Sequence, residues 1–108
     1  MLKRLRKLQV NSTLFTVRWD ATSCEGSFSY DGEGPGKGTL TIGTKCGERV
    51  ALMILCHELM EIVAIEALVR FRRPDVGDDY IFVYDHRQHS TMMEMFAGLL
   101  AQFLGDGI

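Results

Sequence analysis

The sequence has no run of about 18 apolar residues, so nothing in it reads as a bilayer-spanning helix, and its N-terminus lacks the apolar stretch and cleavage site of a secretory leader. A cytoplasmic protein without membrane contact is expected. Cysteine is scarce. Cys24, Cys46 and Cys56 are an odd number at irregular spacing, which argues against a disulfide framework and suits a reducing compartment. No Cys-x-x-Cys pair is present to form a zinc knuckle. Excess charge is also missing: the net charge of −2 gives no global attraction to nucleic acid or anionic lipid. The one basic run, Lys3, Arg4, Arg6 and Lys7, alternates with Leu2, Leu5 and Leu8. It reads as a short amphipathic turn lying on the body, within a basic N-terminal segment of residues 1–12, and makes nucleic acid an unlikely partner.

What is present suits an ordinary globular protein. With 108 residues, 46% of them hydrophobic and 24% charged, the chain is read as a single domain over residues 1–108 with one modest core. The alternation of Phe15, Val17 and Trp19 in Leu14–Trp19 indicates a strand, Ser27–Tyr30 a short second one and Gly38–Gly43 a third. The glycines of residues 31–38 make a loop between the last two. From Glu48 to Phe71 good helix formers run without glycine or proline, with Pro74 as the stop. That helix is apolar nearly all round and belongs in the middle of the domain. Residues 72–79 are a polar connector, and Tyr80–Tyr84 a last strand or extended segment. Asp85 with Gln88 three residues on forms a capping box opening a final helix from His86 to Leu104. The expected class is α+β: a small antiparallel sheet of about three strands packed on a long central helix and a C-terminal helix. Six methionines and the apolar helix also leave room for a homodimer interface.

The chemistry lies in Cys56-His57-Glu58-Leu59-Met60-Glu61. At 3.6 residues per turn, His57 and Glu61 share one helix face and can reach one ion, while Glu58 is rotated by about 100° and flanks it. His-Glu-x-x-His proteases use this arrangement, with the glutamate as general base toward water polarised by zinc. Here Glu61 replaces the second histidine. A carboxylate is an acceptable zinc ligand, but its added negative charge weakens the ion's Lewis acidity. Among residues 50–69 the ionisable side chains are His57, Glu58, Glu61 and Glu66, and carboxylates in so apolar a helix call for a cation. A third ligand must come from elsewhere. His86 is favoured because Asp85 beside it can orient an imidazole; His89, one turn on, is the alternative. Tyr80 and Tyr84 are candidate hydrogen-bond donors to an oxyanion, although packing roles suit both. Cys56 reads as a small buried apolar residue.

The order of elements resembles that of minimal zincin-like metallopeptidases, small phage and bacterial proteins distantly similar to the ImmA/IrrE peptidases. The resembling residues are Gly38-Thr39-Leu40-Thr41-Ile42, the Cys56–Glu61 helix motif and Phe96-Ala97-Gly98-Leu99-Leu100. The resemblance implies one zinc ion on His57 and Glu61, Glu58 as catalytic base, and cleavage of a peptide or protein substrate at a peptide or amide bond. It also implies an edge strand beside the helix that holds extended substrate, which would make Thr39 and Thr41 substrate-binding residues. The rival expectation is a non-catalytic metal-binding or interaction protein that keeps the fold.

Overall fold

Alternation along each strand decides which side faces the core. In β2 (Thr13–Asp20) Thr13, Phe15 and Val17 are buried while Leu14, Thr16 and Arg18 face outward. In β4 (Lys37–Gly43) Leu40 and Ile42 are buried in the same way. The computed structural model describes residues 1–32, 36–73 and 79–105. Part of the glycine-rich loop, the Pro74 stop and most of the polar connector lie outside the described residues.

The class is α+β, and the sheet is larger and more mixed than expected. Its order is β1-β2-β4-β3, with β1 (Lys7–Val10) antiparallel to β2, β2 parallel to β4, and β4 antiparallel to β3 (Gly26–Tyr30). The extra strand comes from the basic segment read as a turn. Its period of two buries Leu8 and Val10 against the core and sends Lys7 and Gln9 outward. The segment lies on the body as expected: Arg4 sits 4.7 Å from the Trp19 ring centroid and pairs with Glu48, and Lys7 donates to Thr16.

Two helices cover one face of the sheet. Helix α1 (Glu48–Glu66) buries Leu55, Leu59 and Ile62, and α2 (His86–Leu104) buries Met92, Leu99 and Phe103, in one continuous core with Phe15, Leu40 and Ile42. Side chains of this size each contribute roughly 1.5–3 kcal/mol on burial. Among the described residues no helix is long and apolar enough to cross a membrane.

α1 stops five residues before the expected Phe71. Leu68 adopts a left-handed conformation (φ 60°), and the Val69 N–H turns back to the Ala64 carbonyl at 3.0 Å. Such a conformation costs a non-glycine residue roughly 1–2 kcal/mol. Burial of Val69 and pairing of β5 (Arg70–Arg72) with β6 (Tyr80–Phe82) offset that cost. Local helix propensity loses to tertiary contacts here.

The cysteine expectation is overturned. Cys24 and Cys46 form a disulfide with Cα atoms 5.4 Å apart, and only Cys56 is a free thiol. The parallel pairing explains it. Because β2 and β4 run the same way, the turns after each lie at the same end of the sheet, and each carries one of the two cysteines. The Cys24 turn also crosses Gly43, whose N–H donates to the Glu25 carbonyl at 2.9 Å. A Cβ at Gly43 would collide with the carbonyl oxygens of Ser23 and Glu25. Gly43→Ala is therefore expected to destabilise the fold by about 1–3 kcal/mol, read from the midpoint of urea unfolding.

Candidate metal centre

The middle of α1 brings together three of the expected residues. His57 Nε2 lies 3.5 Å from Glu61 Oε2, and His57 Nδ1 lies 3.0 Å from Glu58 Oε1. One donor atom from each falls within 4.8 Å of the others, and among the described residues this is the one such group of three. Local geometry accounts for it: residues four apart stack on one helix face, and the neighbouring residue reaches around the axis. Exposure falls from the imidazole, 69% open, to Glu61 at 20% and Glu58 at 9%.

The separation suits zinc. Two donors each about 2.1 Å from a tetrahedral ion stand about 3.4 Å apart, close to the distance between His57 Nε2 and Glu61 Oε2. Glu58 is placed differently from the expected base. Its carboxylate meets the other ring nitrogen, the position of a group that orients an imidazole.

His57 forms a ridge between two cavities. One, of about 570 Å³, has His57 and Glu61 on its wall together with Met60, Tyr80, Phe82 and Met92. The other, of about 490 Å³, holds Glu58 beside Gly26 and Ile54. The Cys56 thiol lines the first, and burial pushes its pKa up, consistent with an apolar packing role and against a thiolate ligand. Tyr80 and Tyr84 also line it. Glu66, at the end of the helix, stands apart, accepting from Asn11 Nδ2 at 2.9 Å and from the Tyr30 hydroxyl at 3.0 Å.

The histidines expected to complete the site do not join it. His86 and His89 are exposed on the first turn of α2 and lie outside the group of three. α2 turns Met92, Leu99 and Phe103 to the core, so His89, three residues before Met92, is rotated about 60° off that face and His86 about 120°. Asp85 is engaged in the capping box: it accepts from the Gln88 N–H at 2.8 Å, and its own N–H donates to Gln88 Oε1 at 3.0 Å. His89 instead stacks on Tyr84, with ring centroids 5.8 Å apart.

Thr39 and Thr41 are not on an edge. Thr39 pairs with Thr16 on one side and Ser29 on the other, so the backbone of β4 has no free ladder to offer a substrate. The edge beside α1 is β3: a Cβ on Gly26 would run into Ile54 and lie 3.2 Å from Glu58 Cγ.

One residue of the site was absent from the sequence reading. Arg70 forms an ion pair with Glu61, a terminal guanidinium nitrogen lying 3.2 Å from Glu61 Oε1. The expected helix to Phe71 includes it; the sign that marks it is a single cation inside the apolar stretch Leu68-Val69-Arg70-Phe71. No protein-family model, curated protein or solved structure matches this chain.

Proposed function

We propose that the chain is a zinc-dependent, peptidase-like hydrolase acting on peptide or amide bonds. The observation that carries this reading is the 3.5 Å separation of His57 Nε2 and Glu61 Oε2 on the wall of a largely apolar cavity. Bound zinc supplies Lewis acidity, polarising a carbonyl and bringing the deprotonation of water toward neutral pH. His57 and Glu61 hold and orient the ion. Glu58, whose carboxylate rests against His57 Nδ1, would act as base by turning from that nitrogen toward the water, taking up its proton and returning it to the departing amine nitrogen. The edge of β3 can pair with an extended chain, and the aromatic wall of Tyr80 and Phe82 suits an apolar substrate side chain.

The test is a zinc titration of protein purified without added metal. One ion per chain is expected, and at a free zinc concentration 100 times Kd the fold gains about 2.7 kcal/mol, visible as a rise in Tm. His57→Ala abolishes the rise. Running the titration on His86→Ala and His89→Ala, both outside the group of three, tests whether either joins on binding: weaker binding in one names it as a ligand, and no change in either leaves the ion to His57, Glu58 and Glu61. Absence of both binding and a Tm rise in the wild-type protein refutes the reading.

A second reading is favoured by a specific observation. Glu58 is engaged with His57 Nδ1, and the β5–β6 hairpin exposes Phe71, Ile81 and Phe82. Both suit a non-catalytic metal-binding or interaction protein, in which the exposed apolar side chains meet a partner.

A further inference from the structure

Replacing the second histidine of the motif by Glu61 adds a negative charge and a second oxygen able to grip an ion. Arg70 answers both. Its guanidinium carbon lies over two rings, 3.5 Å from the Tyr80 centroid and 5.6 Å from that of Phe28, with its side chain 16% exposed. One terminal nitrogen meets Glu61 Oε1 at 3.2 Å while Glu61 Oε2 faces His57 Nε2 at 3.5 Å. The two oxygens of one carboxylate thus have different partners. Arg70 Nε is buried with no hydrogen-bond partner among the described residues, an arrangement that typically costs about 1–3 kcal/mol. The ring contacts and the ion pair with Glu61 hold the guanidinium there in spite of that cost.

We infer that Arg70 is a positioning residue that reserves Glu61 Oε1, so that Glu61 offers a metal ion one oxygen and its charge is balanced where a neutral histidine would otherwise stand. This rests on the reading of His57 and Glu61 as metal ligands. A lysine would not reproduce the device, because an ammonium lacks both the planar fork and the flat face that stacks on Tyr80. The role is confined to shaping Glu61, so it disappears if residue 61 carries no carboxylate.

Cobalt substitution reads this without any assay of turnover. In cobalt-loaded wild-type protein, intense visible bands of a four-coordinate ion are expected. Arg70→Met frees Oε1, lets Glu61 bind through both oxygens, and weakens those bands as the coordination number rises. In a Glu61→His background, Arg70→Met leaves the cobalt spectrum unchanged. Arg70→Gln, whose uncharged amide is two bonds shorter than the guanidinium, also weakens the bands and serves as the measurement if the methionine variant does not fold. Wild-type binding with a spectrum that Arg70→Met and Arg70→Gln both leave unaltered overturns the inference and spares the metal site. An equal change in the presence and absence of Glu61 also overturns it, since that marks a general packing role. Failure of the wild-type protein to bind cobalt or zinc overturns the metal site and this inference together.

Discussion

Glu58→Gln is expected to lower zinc-dependent amide hydrolysis by about 10²- to 10⁴-fold, the range ordinarily supplied by one general acid–base group. Zinc stoichiometry should stay at one. Glutamine keeps the shape of the side chain and an oxygen able to accept from His57 Nδ1, which Glu58 meets at 3.0 Å, but it cannot take up a proton. Folding should be preserved or improved, because Glu58 is only 7% exposed and a neutral amide avoids burying a carboxylate. Cleavage of a mixed library of quenched peptides, with and without zinc, provides the assay. An enzyme shows zinc-dependent cleavage that the variant loses. If wild type and variant cleave equally, or neither cleaves while both hold zinc, the hydrolase reading fails and the interaction protein stands.

The second large effect concerns covalent structure. The Cys24–Cys46 bridge spans 22 residues, and closing a loop of that length stabilises a fold by about 3 kcal/mol through the chain entropy it removes from the unfolded state. Reduction, or Cys24→Ser with Cys46→Ser, is expected to lower Tm on the order of 10–20 °C for a domain of this size. Thiol titration in denaturant checks the premise: one reactive thiol per chain, from Cys56, marks the bridged protein, and three mark its absence. Since Cys24, Glu25 and Gly26 border the cavity that holds Glu58, reduced protein should also bind zinc more weakly.

What could be read from sequence follows the range of the interactions involved. α2 begins at His86 and ends at Leu104 as its capping box and apolar spacing foretell, because those determinants lie within a few residues of one another. His57 and Glu61 were legible for the same reason. β2, β3 and β4 were found from alternation, but their partners were not. Parallel pairing of β2 with β4 depends on where β3 goes, and strand partners are chosen by packing rather than by local pattern. The disulfide was hidden with it, since the two cysteines meet only when those strands run the same way. The end of α1 was missed because Leu68 takes a conformation that its own side chain disfavours. That neither histidine of α2 joins His57 depends on how α2 is turned about its axis against α1. Arg70 depends on a hairpin whose second strand starts at Tyr80.

β4 is threaded between two neighbours, one laid alongside in the same sense and one in the opposite sense. Its alignment is consequently checked twice, by seven residue pairs with β2 and five with β3, and a slip of one position would have to break both ladders. The helix that carries His57 starts five positions after this strand ends, at Glu48. The compass heading of the imidazole is therefore inherited from the sheet, and a chain free to slide at Lys37–Gly43 would aim the His57–Glu61 face somewhere else.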